Sequence, residues 1–148
     1  MKKVLLLASV ALLLAGCSTT PVETTDVSTT TGSNTQDVAT IVYQSEYGFS
    51  LNLPKCWEGY ETEDKEAQFN GFVAPVVYFR TSEGIDLFAL SIFTTEQWAM
   101  EEKEEGPKPE KLGETGEYVI GFDHTQDSAG LEGYDLNFDA VKASFKAL

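Results

Sequence analysis

In "YGFSLNLP", Tyr47, Phe49, Leu51 and Leu53 alternate with Gly48, Ser50 and Asn52. A period of two marks a half-buried strand, here ended by Pro54. "IVYQ" just before it, across a short turn at Ser45 and Glu46, predicts an antiparallel partner, and "CWEGYET" reads as a further strand. "PVVYFRT" and "IDLFALSIF" flank Ser82-Glu83-Gly84, a hairpin signal. The second run is apolar on both faces, which predicts a central strand covered on both sides. "FTTEQW" opens a helix with two reinforcing devices: Thr94 and Gln97 at capping-box spacing, and Phe93 and Trp98 at the positions of a hydrophobic staple. That helix is predicted to run through "AMEEKEE" and stop before Gly106-Pro107, with "GPKPEKLGETG" as loop and "EYVIGF" as the final strand. Tyr134, Phe138, Val141, Phe145 and Leu148 recur at spacings of four, three, four and three, the apolar stripe of a C-terminal helix. The order predicts an α+β domain, a mostly antiparallel sheet with packed helices.

The first apolar run has a different character. Lys2 and Lys3 precede Val4–Ala15, an uncharged stretch of about a dozen residues, whereas crossing a bilayer takes ~20 helical residues. This is the shape of an export signal. Its end, Leu14-Ala15-Gly16-Cys17, resembles the bacterial lipobox. The resemblance implies that the Cys17 thiol takes a diacylglyceryl group, that cleavage makes Cys17 the first residue, and that the mature chain is triacylated. One acyl chain anchors only marginally, while each buried methylene adds ~0.8 kcal/mol, so two or three chains hold firmly. The chain then divides into a signal peptide (1–16), a lipidated cysteine with a disordered Thr/Ser-rich tether (17–40), and a folded domain (41–148). The tether sequence, "STTPVETTDVSTTTGSNTQDVAT" after Cys17, has no aromatic residue and no periodicity, so it cannot bury enough apolar area to order itself. As a flexible coil it would reach ~25 Å. The expected location is the extracytoplasmic face of the cell membrane. In a two-membrane envelope, Ser18 rather than Asp after the anchor favours the outer membrane, by analogy with lipoprotein sorting.

Charge narrows the partners. The full chain carries −14, from 10 basic and 24 acidic residues, and loss of residues 1–16 removes two lysines and no acid (8 − 24 = −16). Such a surface excludes nucleic acid as a partner and is repelled by anionic headgroups, so the lipid must do the holding. With Cys17 lipidated, Cys56 is the other thiol of the chain, and no intramolecular disulfide or cysteine-based zinc site is expected.

Tyr43 with "YGFSLNLPKCWEGY", then "IFTTEQW", then "GPKP" leading to "LGETGEYVI", resemble exported bacterial lipoproteins of unknown function with a PsbP-like domain. The resemblance covers roughly 41–148 and implies an α/β/α sandwich, a sheet between helices. Its motifs are structural and bring no catalytic residue. Cys56 departs from the pattern, standing where a small polar or charged residue is expected.

Candidate chemistry is sparse. His124, in "FDHTQD", is the single histidine. It suits a general base oriented by Asp123 with Ser128 or another serine as nucleophile, or a weak metal site with Asp123 and Asp127. A solvent-exposed turn histidine is the plainer reading. An EF-hand is excluded, because the sixth position from Asp123 is Ser128 and the twelfth is Tyr134. Cys56 beside Lys55 suits a nucleophile or redox sensor, against a partly buried, inert cysteine. Glu101, Glu102, Glu104, Glu105 and Glu110 suit cation collection, against a solvated helix face. Glu61-Thr62-Glu63-Asp64 reads as a charged strand end or loop. Trp57, Tyr60 and Trp98 suit ligand stacking, against core and staple roles. No phosphate-binding glycine motif, glycosidase carboxylate pair or HExxH is present. No metal or other cofactor is therefore implied. The sequence supports a lipid-anchored, non-catalytic binding or assembly module at the envelope, its partner an unidentified protein or ligand. The alternatives are a small hydrolase or redox protein using His124 or Cys56, and an acidic cation-binding protein.

Overall fold

The period-two segment folds as expected. Strand β1 (Thr40–Ser45) pairs antiparallel with β2 (Phe49–Pro54), Ser45 opposite Phe49 and Thr40 opposite Pro54. Gly48 closes the turn with φ at 81°, a region costly for residues with a Cβ, and donates its N–H to the Ser45 carbonyl at 3.2 Å. Phe49, Leu51 and Leu53 are fully buried while Asn52 faces out. This is a computed structural model, and it describes residues 39–124 and 129–148.

The predicted hairpin is β4 (Val73–Arg80) and β5 (Asp86–Thr94). Its turn is organised by buried Thr81, whose Oγ1 accepts the N–H groups of Glu83 and Ile85, each at 3.2 Å. Strand β5 is central, as its two-faced apolarity requires. With β3 (Glu61–Gln68), β6 (Glu110–Glu114) and β7 (Tyr118–His124) it forms an antiparallel five-stranded sheet of order β3-β4-β5-β7-β6. The smaller sheet has the order β1-β2-β8, where β8 is Lys146–Ala147. The two sheets share one core, with Phe49, Leu51 and Leu53 on one side and Phe79, Phe88, Leu90, Ile92 and Ile120 on the other. Tyr43 meets Phe79 edge-on at 4.8 Å, and Trp57 meets Phe88 at 5.7 Å. Behind the large sheet, helix α1 (Thr95–Glu101) covers a second cluster of Ala74, Phe93, Trp98 and Val119.

The fold class differs from the expectation. Strand makes up 48% of the structure and helix 15%, in two antiparallel sheets, so the protein is mostly β and not an α+β domain with packed helices. The expected helices are cut short. Helix α1 ends at Glu101, and Glu102, Glu104 and Glu105 are exposed beyond it. Acidic side chains oppose the negative C-terminal end of the helix dipole, and they offer the sheet nothing apolar. Of the C-terminal stripe, only Phe138–Ala143 is helical, as α2. Phe145 still packs on Phe49 at 5.6 Å, but from the turn between α2 and β8, its N–H donating to the Lys142 carbonyl at 3.1 Å, because β8 completes the open edge of β2. Ser144 reinforces the change by accepting the Asn52 N–H at 2.8 Å, and Leu148 is left exposed.

Three segments also change type. "CWEGYET" begins with a 3-10 turn, Lys55–Trp57, before β3 starts. The charged Glu61–Asp64 run extends into an eight-residue edge strand, where exposed charge discourages pairing with other chains. The expected loop "GPKPEKLGETG" contains the opposite edge, β6, whose alternation is concealed by a register shift between Lys111 and Gly113. Strand β7 is not the last, because β8 follows it.

Candidate functional site

A concavity with charged walls opens beside the end of α1. It holds about 570 Å³ and is bounded by the β3–β4 turn (Gln68–Asn70), Glu101, the approach to β6 (Pro107–Glu110) and the end of β7 (Phe122–His124). Each wall is pinned locally. Gln68 Nε2 donates to the carbonyls of Phe69 and Phe72 at 3.0 and 2.9 Å, tying the β3–β4 turn. Lys108 Nζ donates to the carbonyls of Glu102 and Glu104 at 2.8 and 3.4 Å, closing the end of α1 that its acidic residues leave uncapped. Pro109 lies so close to β7 that a Cβ on Gly121 would stand 2.7 Å from it.

Glu101 is the unusual member. It is 3% exposed, and Asn70 Nδ2 donates to its Oε2 at 3.5 Å, the outer limit of a hydrogen bond. Asp123 receives a hydrogen bond from buried Ser91. Burial raises the Asp123 carboxyl above the usual aspartate range; the Ser91 hydrogen bond works against it, and the Glu101 charge adds a weaker rise that His124 partly offsets.

The structure brings Glu101, Glu110, Asp123 and His124 to this cleft, and Glu102, Glu104 and Glu105 lie outside it. Adjacent residues on a strand point to opposite faces. Asp123 turns toward Ser91, while the His124 ring stacks on Phe138 at 5.4 Å, on the main-core side. This geometry does not pair Asp123 with His124 as orienter and base. Asp127 and Ser128 lie outside the described residues. Glu110 is committed to Lys142 at 2.9 Å. Among the described residues, no group of three or more His, Cys, Asp or Glu is arranged to hold a metal ion.

Cys56 is half-buried against the main core and distant from these groups in role: it is disulfide-bonded, which corrects the expectation of an isolated thiol. A disulfide sulfur has no thiolate, so the nucleophile reading fails in this state. Lys55 pairs instead with Glu58 at 2.8 Å. The aromatic candidates are structural. Trp57 is fully buried with its Nε1 donating to the Asp135 carbonyl at 3.0 Å, Tyr60 stacks on Phe79 at 5.8 Å, and Trp98 packs under α1.

Sequence reasoning missed Asn70 and Lys108, which reach the cleft only through the tertiary fold. A signal for Glu101 was present: it lies three residues after the staple Trp98, hence on the buried face of α1.

Residues 1–18 match the family model for the prokaryotic membrane lipoprotein lipid attachment site. The match supports a bacterial lipoprotein, held to a membrane by lipid and facing outward. No curated protein and no solved structure matches the chain, and the PsbP-like resemblance gains no support. Among the described residues, no helix is long and apolar enough to cross a membrane.

Proposed function

We propose that Cys17 carries the lipid, that residues 17–40 tether the domain of 41–148, and that the domain is a non-catalytic binding or assembly module on the outward face of the envelope. The observation that carries the anchor is the lipid-attachment match over residues 1–18. The non-catalytic reading draws support from the geometry, in which the Asp123 and His124 side chains diverge. In a two-membrane envelope, Ser18 directs the protein to the outer membrane.

A labelled fatty acid fed to cells tests the anchor. Wild type takes up label and Cys17→Ser does not, and equal labelling of both would overturn it. Intact mass adds a second readout. A thioether on Cys17 closes that sulfur to disulfide chemistry, so in a chain with two cysteines lipidation excludes a disulfide within the chain. The lipidated species therefore carries Cys56 either as a thiol or bonded to another molecule. Crosslinking on intact cells, followed by identification of what co-purifies, addresses the partner.

A further inference from the structure

We propose that the free edge of β1 binds an extended basic segment of a partner protein. The segment adds a fourth strand to the three-stranded sheet and sets its Lys or Arg side chains over Asp64 and Glu66 of β3. This rests on reading the domain as a binding module and names the class of its partner.

The edge follows from the ladder. The Lys55 N–H donates to the Ala39 carbonyl, and the register continues from Thr40 opposite Pro54 to Ser45 opposite Phe49. Bonded pairs alternate in an antiparallel ladder, so Ile41, Tyr43 and Ser45 turn their backbone groups to β2. Thr40, Val42 and Gln44 turn theirs outward, where no described strand pairs with them. The other three edges of the two sheets are guarded. Strand β3 is dense in charge, β6 is broken by a register shift, and β8 is two residues long. By contrast β1, "TIVYQS", has no charge, no proline and no register shift, and its Val42 is 61% exposed.

The partner class comes from what lies beneath that edge. Residues directly opposite on antiparallel strands share a face. Thr62, Asp64 and Glu66 of β3 stand opposite Phe79, Val77 and Pro75 of β4, and Phe79 and Val77 belong to the main core. The three β3 residues therefore face the side on which the small sheet lies, yet all are exposed. The small sheet stops short of them: β1 lies over β4, where Tyr43 meets Phe79, and β8 lies against β6. A strand added to β1 at the usual ~4.8 Å would continue that layer over β3, roughly 10 Å away. Its inward side chains would then meet Asp64 and Glu66, and its outward ones would lie beside Val42. Asp64 is already close enough to act electrostatically on the Tyr43 hydroxyl. Neither Asp64 nor Glu66 joins an ion pair of the described residues, while Glu63, on the opposite face, holds Lys65 and Arg80. Long cationic side chains span such a gap and complement its charge. A second copy fits poorly, because two-fold pairing of β1 with β1 would drive the projecting β3 of each copy into the other's large sheet.

Fluorescence anisotropy on the mature lipoprotein in neutral detergent tests this, with a labelled, capped heptapeptide of alternating lysine and valine as the probe. Saturable binding is expected. Asp64→Asn with Glu66→Gln should weaken it about threefold to tenfold, the range for losing two exposed ion pairs. Because a chain of net charge −14 attracts any cation loosely, Glu102→Gln with Glu105→Gln is the control and should bind like wild type. Val42→Pro deletes an N–H that β2 does not use, so it should fold and lose binding. If it does not fold, two probes N-methylated at every valine or at every lysine carry the test. A strand edge uses one set of amides and not the other, so one blocked probe should bind and its counterpart should not. Non-saturating binding, equal weakening in the control, or equal behaviour of the two blocked probes would overturn the site. A dimer in sedimentation that Val42→Pro dissolves would give the edge to a second copy and overturn the partner class. A lipoprotein that crosslinks to a protein on cells but ignores the probe overturns this inference and leaves the binding-module reading standing. One that binds the probe yet crosslinks to nothing overturns that reading and keeps the edge.

Discussion

Trp98 rests against Phe93 with ring centroids 5.7 Å apart and planes at 47°. Between them, Thr94 Oγ1 accepts the Gln97 N–H at 3.2 Å, and Gln97 Oε1 accepts the Thr94 N–H at 2.9 Å. Staple and capping box therefore act on the same helical turn, and the staple pair forms half of the smaller core cluster. Trp98→Ala should destabilise the domain by about 3–5 kcal/mol, as truncation of a buried aromatic does. Single domains have only ~5–15 kcal/mol in total, so chemical denaturation should show a large loss of midpoint or an unfolded chain. A variant as stable as wild type would show that α1 is held by its cap alone.

A second close relationship involves Gly113. A Cβ there would stand 2.3 Å from one ring carbon of Phe145, with two more at 2.6 and 2.8 Å. That ring in turn stacks on Phe49 of the small sheet. Gly113→Ala should displace Phe145 and cost about 1–3 kcal/mol, the usual range for overpacking. Combining it with Phe145→Ala should cost less than the sum of the two single changes, because the clash is then gone. Strict additivity would refute the coupling.

The contrast between these two sites explains what could be read in advance. The staple is local: its four residues lie within six positions, and spacing alone implies their contacts. The β1–β2 and β4–β5 hairpins are local in the same sense, and both were legible. Strand β6 was not, because Gly113 interrupts the alternation where Phe145, distant in sequence, needs room. The C-terminal stripe specified which residues face the core but not their backbone. Phe145 satisfies the stripe from a turn just past α2, since the edge of β2 takes the next two residues as a strand partner. Asp123 and His124 look like a pair in sequence, and strand alternation sends them apart. Glu101 and Asp123 look unrelated, and sheet order places α1 beside the end of β7.

The start of the ordered domain can be located by truncation. The Ala39 carbonyl accepts the Lys55 N–H at 3.1 Å, and Thr40 pairs with Pro54. A chain beginning at Ala39 should melt like the full mature protein. One beginning at Ile41 loses that hydrogen bond and should be weaker by about 0.5–1.5 kcal/mol. If the Ala39 chain already melts several degrees lower, residues before it contribute to the domain, and the tether assignment is wrong.

Asp123 makes stability depend on pH in a direction opposite to that of a salt-bridged carboxylate. Burial first, and then repulsion from Glu101, holds its folded-state pKa above the ordinary aspartate value. The folded protein therefore keeps this proton to a higher pH than the unfolded chain does. Stability from this group is full below the unfolded pKa and falls as pH rises through the window up to the folded one. Asp123→Asn removes that decline, while its amide oxygen can still accept from Ser91. The variant should match wild type at low pH and melt at a higher temperature at neutral pH. Other carboxylates titrate over the same range, so the informative quantity is the difference in melting temperature between the two proteins, followed from about pH 3 to 8. That difference should grow with pH and then level off. A variant less stable than wild type at neutral pH would mean that ionised Asp123 is favoured by its surroundings, and that the cleft does not repel a second negative charge.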